Sequence, residues 1–189
     1  VIANMAENNM LPSIYFIFSR RGCDLAVKNL SNYCLVSSSE QNLIRDNLNR
    51  FSKANAEAIR DGIHVDALLR GIAAHHAGVL PAWKELIEKL FQDGLVKVVF
   101  ATETLSAGIN MPARSTVIST LSKRSDNGHR QLLSSEFLQM AGRAGRRGLD
   151  NQGYVVTVQS RFEGAREAGH LALSSSEPLV SHFTPSYGM

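Results

Sequence analysis

The feature that most constrains this chain is a pair of almost wholly apolar runs of strand length, Ile14 to Phe18 and Val96 to Ala101. A strand with one face in water alternates apolar and polar residues. A run that is apolar throughout must be covered on both faces, as in a parallel sheet with helices on either side. Residues 13 to 18 (SIYFIF) are closed off by Pro12 before them and by Ser19-Arg20-Arg21-Gly22 after them. The segment from Pro81 to Phe91 supplies a covering helix. Its Trp83, Leu86, Ile87, Leu90 and Phe91 fall at i, i+3, i+4, i+7 and i+8, with Pro81 in the first turn and Gly94 past the end. That stripe, Trp83 included, is core.

Further strands are predicted at residues 71–75, 116–121 and 154–158, with helices at 23–30 and 136–144. A polar helical stretch runs from Ser37 to Arg70, with Leu43, Ile44 and Leu48 on one face. Strands alternating with helices at this spacing predict an α/β fold built on a parallel sheet. In such sheets the working residues gather on loops beyond the carboxyl ends of the strands. This points to the loops after Phe18, His75 and Ala101, and to the helical turn holding Gly142 to Arg147.

Composition narrows the class. The 189 residues are 44% hydrophobic, with 20 Lys+Arg against 17 Asp+Glu, which excludes disorder for most of the chain. No apolar stretch approaches the roughly 20 residues of a membrane span. Cys23 and Cys34 fit no zinc spacing, so reduced thiols, an intracellular soluble protein and no metal site are expected. The net charge of +3 is concentrated: residues 122–150 hold six basic side chains (Lys123, Arg124, Arg130, Arg143, Arg146, Arg147) against three acidic ones (Asp126, Glu136, Asp150). A local excess of this kind reads as a polyanion site, or as a solvated basic face. The chain opens on Val1 rather than Met and is expected to be a piece of a longer one.

The string Gln139-Met140-Ala141-Gly142-Arg143-Ala144-Gly145-Arg146-Arg147-Gly148 is the most informative. Arg143 and Arg146 are three apart, so on a helical turn they project to one side, and the small residues between them allow close approach of a bulky anion. Paired guanidinium groups suit charge on phosphoryl oxygens because each is permanently ionised and can donate two parallel hydrogen bonds. His75 and His76 point apart on a strand and have no third partner at metal spacing. His76 is expected either to shape the loop before Gly78 near nucleic acid or to be a packed, hydrogen-bonded histidine. Cys23 lacks an identifiable base and is expected to pack. Between Ser122 and Leu133, Asn127-Gly128 predicts a two-residue hairpin turn.

Four ordered segments together resemble one family. IYFIFSRRGCD (14–24), RGIAAHHAGVLPAWKELIEKLF (70–91), VVFATETLSAGINMPA (98–113) and QMAGRAGRRG (139–148) are similar in order and spacing to the motifs of the superkiller-type (Ski-like) DExH-box helicases of superfamily two. Within that branch the wording is nearest to plastid and cyanobacterial members. The resemblance implies a second RecA-like lobe over residues 12–170, with 1–11 a linker from a preceding lobe and 171–189 the start of a following segment, of winged-helix type. It further implies a β-hairpin insertion that serves as a strand-splitting wedge, lined by Lys123, Arg124, His129 and Arg130.

Carried over residue by residue, Arg143 and Arg146 resemble arginine fingers for the ATP γ-phosphate, with Gln139 near the same phosphate or the attacking water. Gly108 and Asn110 resemble nucleotide contacts. Ser19, Arg20, His76, Thr102, Glu103 and Thr104 resemble contacts to a nucleic-acid strand. The resemblance implies ATP with Mg²⁺, the metal held by a first lobe, and partners in RNA and that first lobe, with no membrane. The chloroplast stroma or the cyanobacterial cytoplasm is the implied compartment. The sequence contains neither GxxxxGK[ST] nor DExH, so the chain alone is expected not to hydrolyse ATP. A DNA helicase lobe and a non-catalytic nucleic-acid-binding module are the alternatives.

Overall fold

The computed structural model describes residues 1–55, 57, 62–106, 110–125 and 128–175. Among the described residues there are seven strands: β1 (Ser13–Phe16), β2 (Ile72–His75), β3 (Val98–Ala101), β4 (Ser115–Ile118), β5 (Ser122–Ser125), β6 (Gly128–Gln131) and β7 (Tyr154–Thr157). Five of them form one parallel sheet in the order β2-β3-β1-β4-β7, and β5 and β6 pair separately as an antiparallel hairpin. The helices are α1 (Ile2–Glu7), α2 (Arg20–Asn29), α3 (Ser38–Ala54), α4 (Gly62–Leu69), α5 (Pro81–Gln92), α6 (Ser134–Ala141) and α7 (Ala165–Leu173), with a 3₁₀ turn at Glu103–Ser106.

Both faces of the sheet are covered, as the apolar runs require. Ile14 and Phe16 of β1 and Val99 and Ala101 of β3 face a core filled by α3, α5, α6 and α7. The alternate residues Tyr15 and Ile17, with Val98 and Phe100, face a second core with Ile2, Met5, Cys23 and Val27 from α1 and α2. Tyr15 and Phe100 stack at a tilt with ring centroids 5.4 Å apart. On the opposite face α5 buries the five residues of its stripe, and Trp83 meets Phe51 of α3 edge-on at 5.7 Å. Full burial of each such side chain is worth about 1.5–3 kcal/mol, so α5 anchors that layer.

The strands and helices predicted from the sequence recur with shifted ends, and α1 and α7 stand where no helix is predicted. The expected helix 136–144 starts at Ser134 and stops at Ala141. The long helical stretch from Ser37 divides into α3 and α4. A capping box that sequence reading passed over starts α3: Glu40 N–H donates to Ser37 Oγ, and the Glu40 carboxylate accepts from Ser37 N–H at 2.8 Å. The expected linker at 1–11 contains α1, whose Ile2 and Met5 are buried. The expected boundary at residue 170 falls within α7, where Leu171 is 3% exposed. Residues 176–189 lie outside the described ones.

The segment after α6 is not a helical turn. Ala144 forms a parallel bridge with Ala113, the residue two before β4. Ala113 N–H donates to Arg143 O at 2.9 Å and Gly145 N–H to Ala113 O at 2.7 Å. Gly145 has φ +90°, which only glycine adopts readily. On the far side of this loop lies Gly153, where an added Cβ would stand 2.6 Å from Gly145 N and 2.7 Å from Ala144 C. Both contacts are backbone atoms of a pinned loop and cannot step aside. Gly153→Ala is therefore expected to cost about 1–3 kcal/mol, read as a lower denaturation midpoint in urea; an unchanged midpoint would show that the loop yields.

Candidate functional site

The carboxyl ends of β2, β3 and β1 lie side by side, with His75 opposite Ala101 and Ala101 opposite Phe16. This edge gathers most of the expected strand-contacting residues. Ser19 caps α2, its Oγ accepting from Gly22 N–H at 3.2 Å, and Arg20 opens that helix with an exposed side chain. Gly22 is needed beneath them, since a Cβ there would meet Ile17 Cγ2 at 2.8 Å. Thr102 leaves β3 with its hydroxyl 3.0 Å from that of Thr104. Thr104 is exposed.

His76 takes the packed alternative. It is 5% exposed, and its Nδ1 accepts from Gly78 N–H at 3.1 Å. That leaves Nε2 to carry a proton toward Asp24 Oδ1, 3.0 Å away. With both ring nitrogens engaged, His76 shapes the loop beside Arg20. His75 is likewise buried, 2.7 Å from Glu88, and burial lowers its pKa against the pull of that carboxylate. Burial and the adjacent Asp24 push the Cys23 thiol up to about 12, so it is an inert packing group. Among the described residues no group of three His, Cys, Asp or Glu could hold a metal ion. No helix among them is long and apolar enough to cross a membrane.

The hairpin is present, one residue out of the expected phase. Ser125 pairs with Gly128, so Asp126 and Asn127, which lie outside the described residues, are the two between the strands. Gly128, with φ +103°, begins β6. The register sets Lys123 opposite Arg130 and Arg124 opposite His129. Arg124 and His129 are exposed. Lys123 and Arg130 are turned back onto the body of the protein: Arg130 forks onto Glu136 of α6 at 2.6 and 2.9 Å, and Lys123 Nζ reaches Glu136 at 2.8 Å and also bonds Glu103. Lys123, expected along a strand path, is a half-buried tie whose partners are Glu103 and Glu136.

The arginine loop lies elsewhere than the rule of strand carboxyl ends predicts. Its bridge to Ala113 sets it before β4, at the amino end of that strand. Arg143 and Arg146 therefore do not share a helical face. Arg143 donates to the carbonyl of Ser106, which follows β3. Arg146 presents its Nε and Nη2 edge to Asp150 at 2.8 and 2.9 Å, and Arg146 N–H donates to the same carboxylate at 3.1 Å. The Asp150 side chain is only 1% exposed, and Arg114 Nε stands 3.4 Å from it. The Arg146 hydrogen bonds outweigh burial and hold the Asp150 carboxyl down at about 2. Gln139 lies on α6 at the rim of a cleft of about 250 Å³ lined also by Glu103, Thr104, Ser106, Lys123 and Glu136. Asn110 is exposed and accepts a hydrogen bond from Gln92 through its carbonyl. Gly108 lies outside the described residues.

Three contributors escaped sequence reading. Asp150 stands at i+4 from Arg146, a spacing that hints at a pair, yet nothing local shows that it is buried. Glu136 entered only as one charge in a count. Gly153, ahead of a strand, looked like any turn glycine.

Comparison with known proteins bears on the site. Residues 52–148 match the family described as helicase conserved C-terminal domain. The DExH-box ATP-dependent RNA helicase DExH15, chloroplastic, of Arabidopsis thaliana is 57% identical over 98% of this chain and 16% of its own length. The probable helicase HelY of Mycobacterium tuberculosis is 43% identical over 100% of the chain and 22% of its own. The superkiller complex protein 2 of Homo sapiens is 38% identical over 100% and 16%. The chain thus spans about a sixth to a fifth of the length of these relatives.

Asp150 has a testable acid signature. A carboxylate whose folded pKa is depressed stabilises the fold above its unfolded value, about 3.9, and loses that contribution as pH falls toward the folded value. Asp150→Asn is expected to lower the melting temperature at pH 7, with the gap to wild type closing between about pH 4 and pH 2. A gap that is constant with pH would mean that the pairing is not the source.

Proposed function

Because the chain belongs to the helicase conserved C-terminal domain family, with superkiller-type DExH-box helicases among its relatives, we propose that it is the second motor lobe of an ATP-dependent RNA helicase. In this reading it supplies arginine fingers to a nucleotide bound on a first lobe and grips one RNA strand for 3′ to 5′ unwinding. The observation that carries the reading is the Arg146 side chain. Its Nε–Nη2 edge is tied to buried Asp150, and a guanidinium has a second edge, Nη1–Nη2, able to donate two parallel bonds to a phosphate. A cation held this way does not have to be ordered at the moment of reaction, which is what charge stabilisation in a transition state requires.

The donor set fits the phosphate end of a nucleotide. Arg143 and Arg146 leave one pinned loop, Gly142 and Gly145 keep that loop slim, and Gln139 stands on the preceding helix. Bound ATP with Mg²⁺, held by the first lobe, would supply the phosphoryl group to be hydrolysed. Arg143 and Arg146 would stabilise charge on its outer oxygens, and Asn110 with Gly108 would face the rest of the nucleotide. Ser19, Arg20, Thr102 and Thr104 would hold the strand backbone from the adjoining carboxyl edge. Arg124 and His129 would meet the duplex on the outer face of the hairpin. RNA is favoured over DNA because the relatives DExH15 and DExH10 of Arabidopsis thaliana are RNA helicases.

In the full-length parent, Arg146→Ala is expected to lower RNA-stimulated ATP hydrolysis by about 10³-fold or more while RNA affinity stays near wild type. Unchanged turnover would refute the arginine-finger role. Equal unwinding of matched RNA and DNA duplexes with overhangs would refute the RNA assignment.

A further inference from the structure

The ion-pair group beneath the hairpin has no part in the mechanism above, although it joins three of its elements. Lys123 and Arg130 are directly opposed on β5 and β6, and like charges in that position drive two strands apart. Here they converge on one acceptor. Glu136 Oε1 lies 2.6 Å from Arg130 Nη2 and 2.8 Å from Lys123 Nζ, while its Oε2 takes the second arm of the Arg130 fork at 2.9 Å. Oε2 also accepts from Leu133 N–H at 2.9 Å, so the same carboxylate caps the first turn of α6. Glu103, on the turn after β3, closes the group from the other side through Lys123. Leu132 N–H donates to Leu121 O at 2.8 Å, closing the hairpin base just before α6 begins.

What makes this arrangement more than a surface cluster is where α6 leads. The helix is eight residues, about 12 Å long. It begins at the Glu136 clamp and runs directly into the arginine loop, where Arg143 N–H still donates to Met140 O. Phe137 and Met140 are 3% and 1% exposed, so the helix is held in the core as one rigid piece. A displacement at the Arg143 end is therefore carried to the Glu136 end, and the clamp passes it to β5 and β6.

We propose that Glu136 is a positioning residue that couples the arginine loop to the hairpin, so that movement of α6 on nucleotide engagement re-aims the Arg124 and His129 face. The inference rests on the helicase reading above and goes beyond it: it assigns the link between nucleotide and strand separation to one carboxylate. A shared element with two arrangements, biased from both ends, is the physical requirement for such coupling. The clamp supplies the rigid joint at one end.

The test is the ratio of duplex unwound to ATP hydrolysed, measured for the full-length parent in one solution with a tailed RNA duplex. Glu136→Gln keeps the side-chain shape and removes the charge; Glu136→Asp keeps the charge and shortens the reach. Both are expected to retain RNA-stimulated ATP hydrolysis within about threefold and to lower unwinding per ATP by about tenfold. In a parent whose residues 122–131 are replaced by a short Gly-Ser link, Glu136→Gln is expected to change nothing further, because its effect runs through the hairpin.

An unchanged ratio in both variants overturns the proposal. So does an equal fall in hydrolysis and unwinding, or a further loss in the parent lacking the hairpin. If Glu136→Gln does not fold, Glu136→Asp, which keeps a negative charge in the first turn of α6, decides alone. Failure of the helicase reading is separate: it would appear as no unwinding by the wild-type parent.

Discussion

The paired backbone bonds between Ala113 and the arginine loop organise this domain. They convert the glycine-rich turn after α6 from a loose excursion into an extra rung at the amino end of β4. Once Arg143 O and Gly145 N–H are committed to Ala113, the loop backbone has one path, and Gly153 presses on it from the other side. The side chains then have few places to go. Arg146 turns onto Asp150 and Arg143 onto the Ser106 carbonyl. Every distinctive property of the loop follows from this backbone commitment, including the need for glycine at 145 and 153.

The sheet order distributes the remaining groups. With β1 between β3 and β4, the loops after β1 and β3 are neighbours, and Ser19, Arg20, Thr102 and Thr104 line one edge. The arginine loop stands at the opposite end of β4, and α6 spans the distance between hairpin and loop. The domain therefore sets the carboxyl edge of the sheet apart from the arginine loop and joins the hairpin to that loop through a short helix. Carboxylates do the joining at both ends, Glu136 at the first turn and Asp150 beyond the last. Each is pulled down to about 2 by the basic groups it holds, Glu136 by Arg130 and Lys123 against the opposing effect of burial, Asp150 by Arg146.

Of the basic excess in residues 122–150, much less faces solvent than a count suggests. Lys123, Arg130 and Arg146 are each paired with a carboxylate, and Arg143 with a carbonyl. Arg124 and Arg147 are exposed. A local charge count thus overstates how much basic charge is presented to solvent. A count nets Glu136 and Asp150 against the basic groups without showing which side chain each one holds, and Glu103, from the 3₁₀ turn after β3, lies outside the counted segment.

The sequence by itself determined the elements and their class. Apolar runs at Ile14–Phe18 and Val96–Ala101 demanded a sheet covered on both sides, the stripe from Trp83 to Phe91 demanded a buried helix, and four ordered motifs pointed to the family. These properties are local or periodic, and periodicity survives being read along a line. Only the tertiary structure decided that Arg143 and Arg146 lie in an extended loop, that His76 is packed, and that Lys123 is a tie. It also decided that Asp150 holds Arg146, that Glu136 ties the hairpin to α6, and that Gly153 presses on the arginine loop. These outcomes depend on burial, on which side chain each charge meets and on a backbone approach of under 3 Å; a spacing such as the i, i+4 of Arg146 and Asp150 permits a pair, and only the packing around it fixes one.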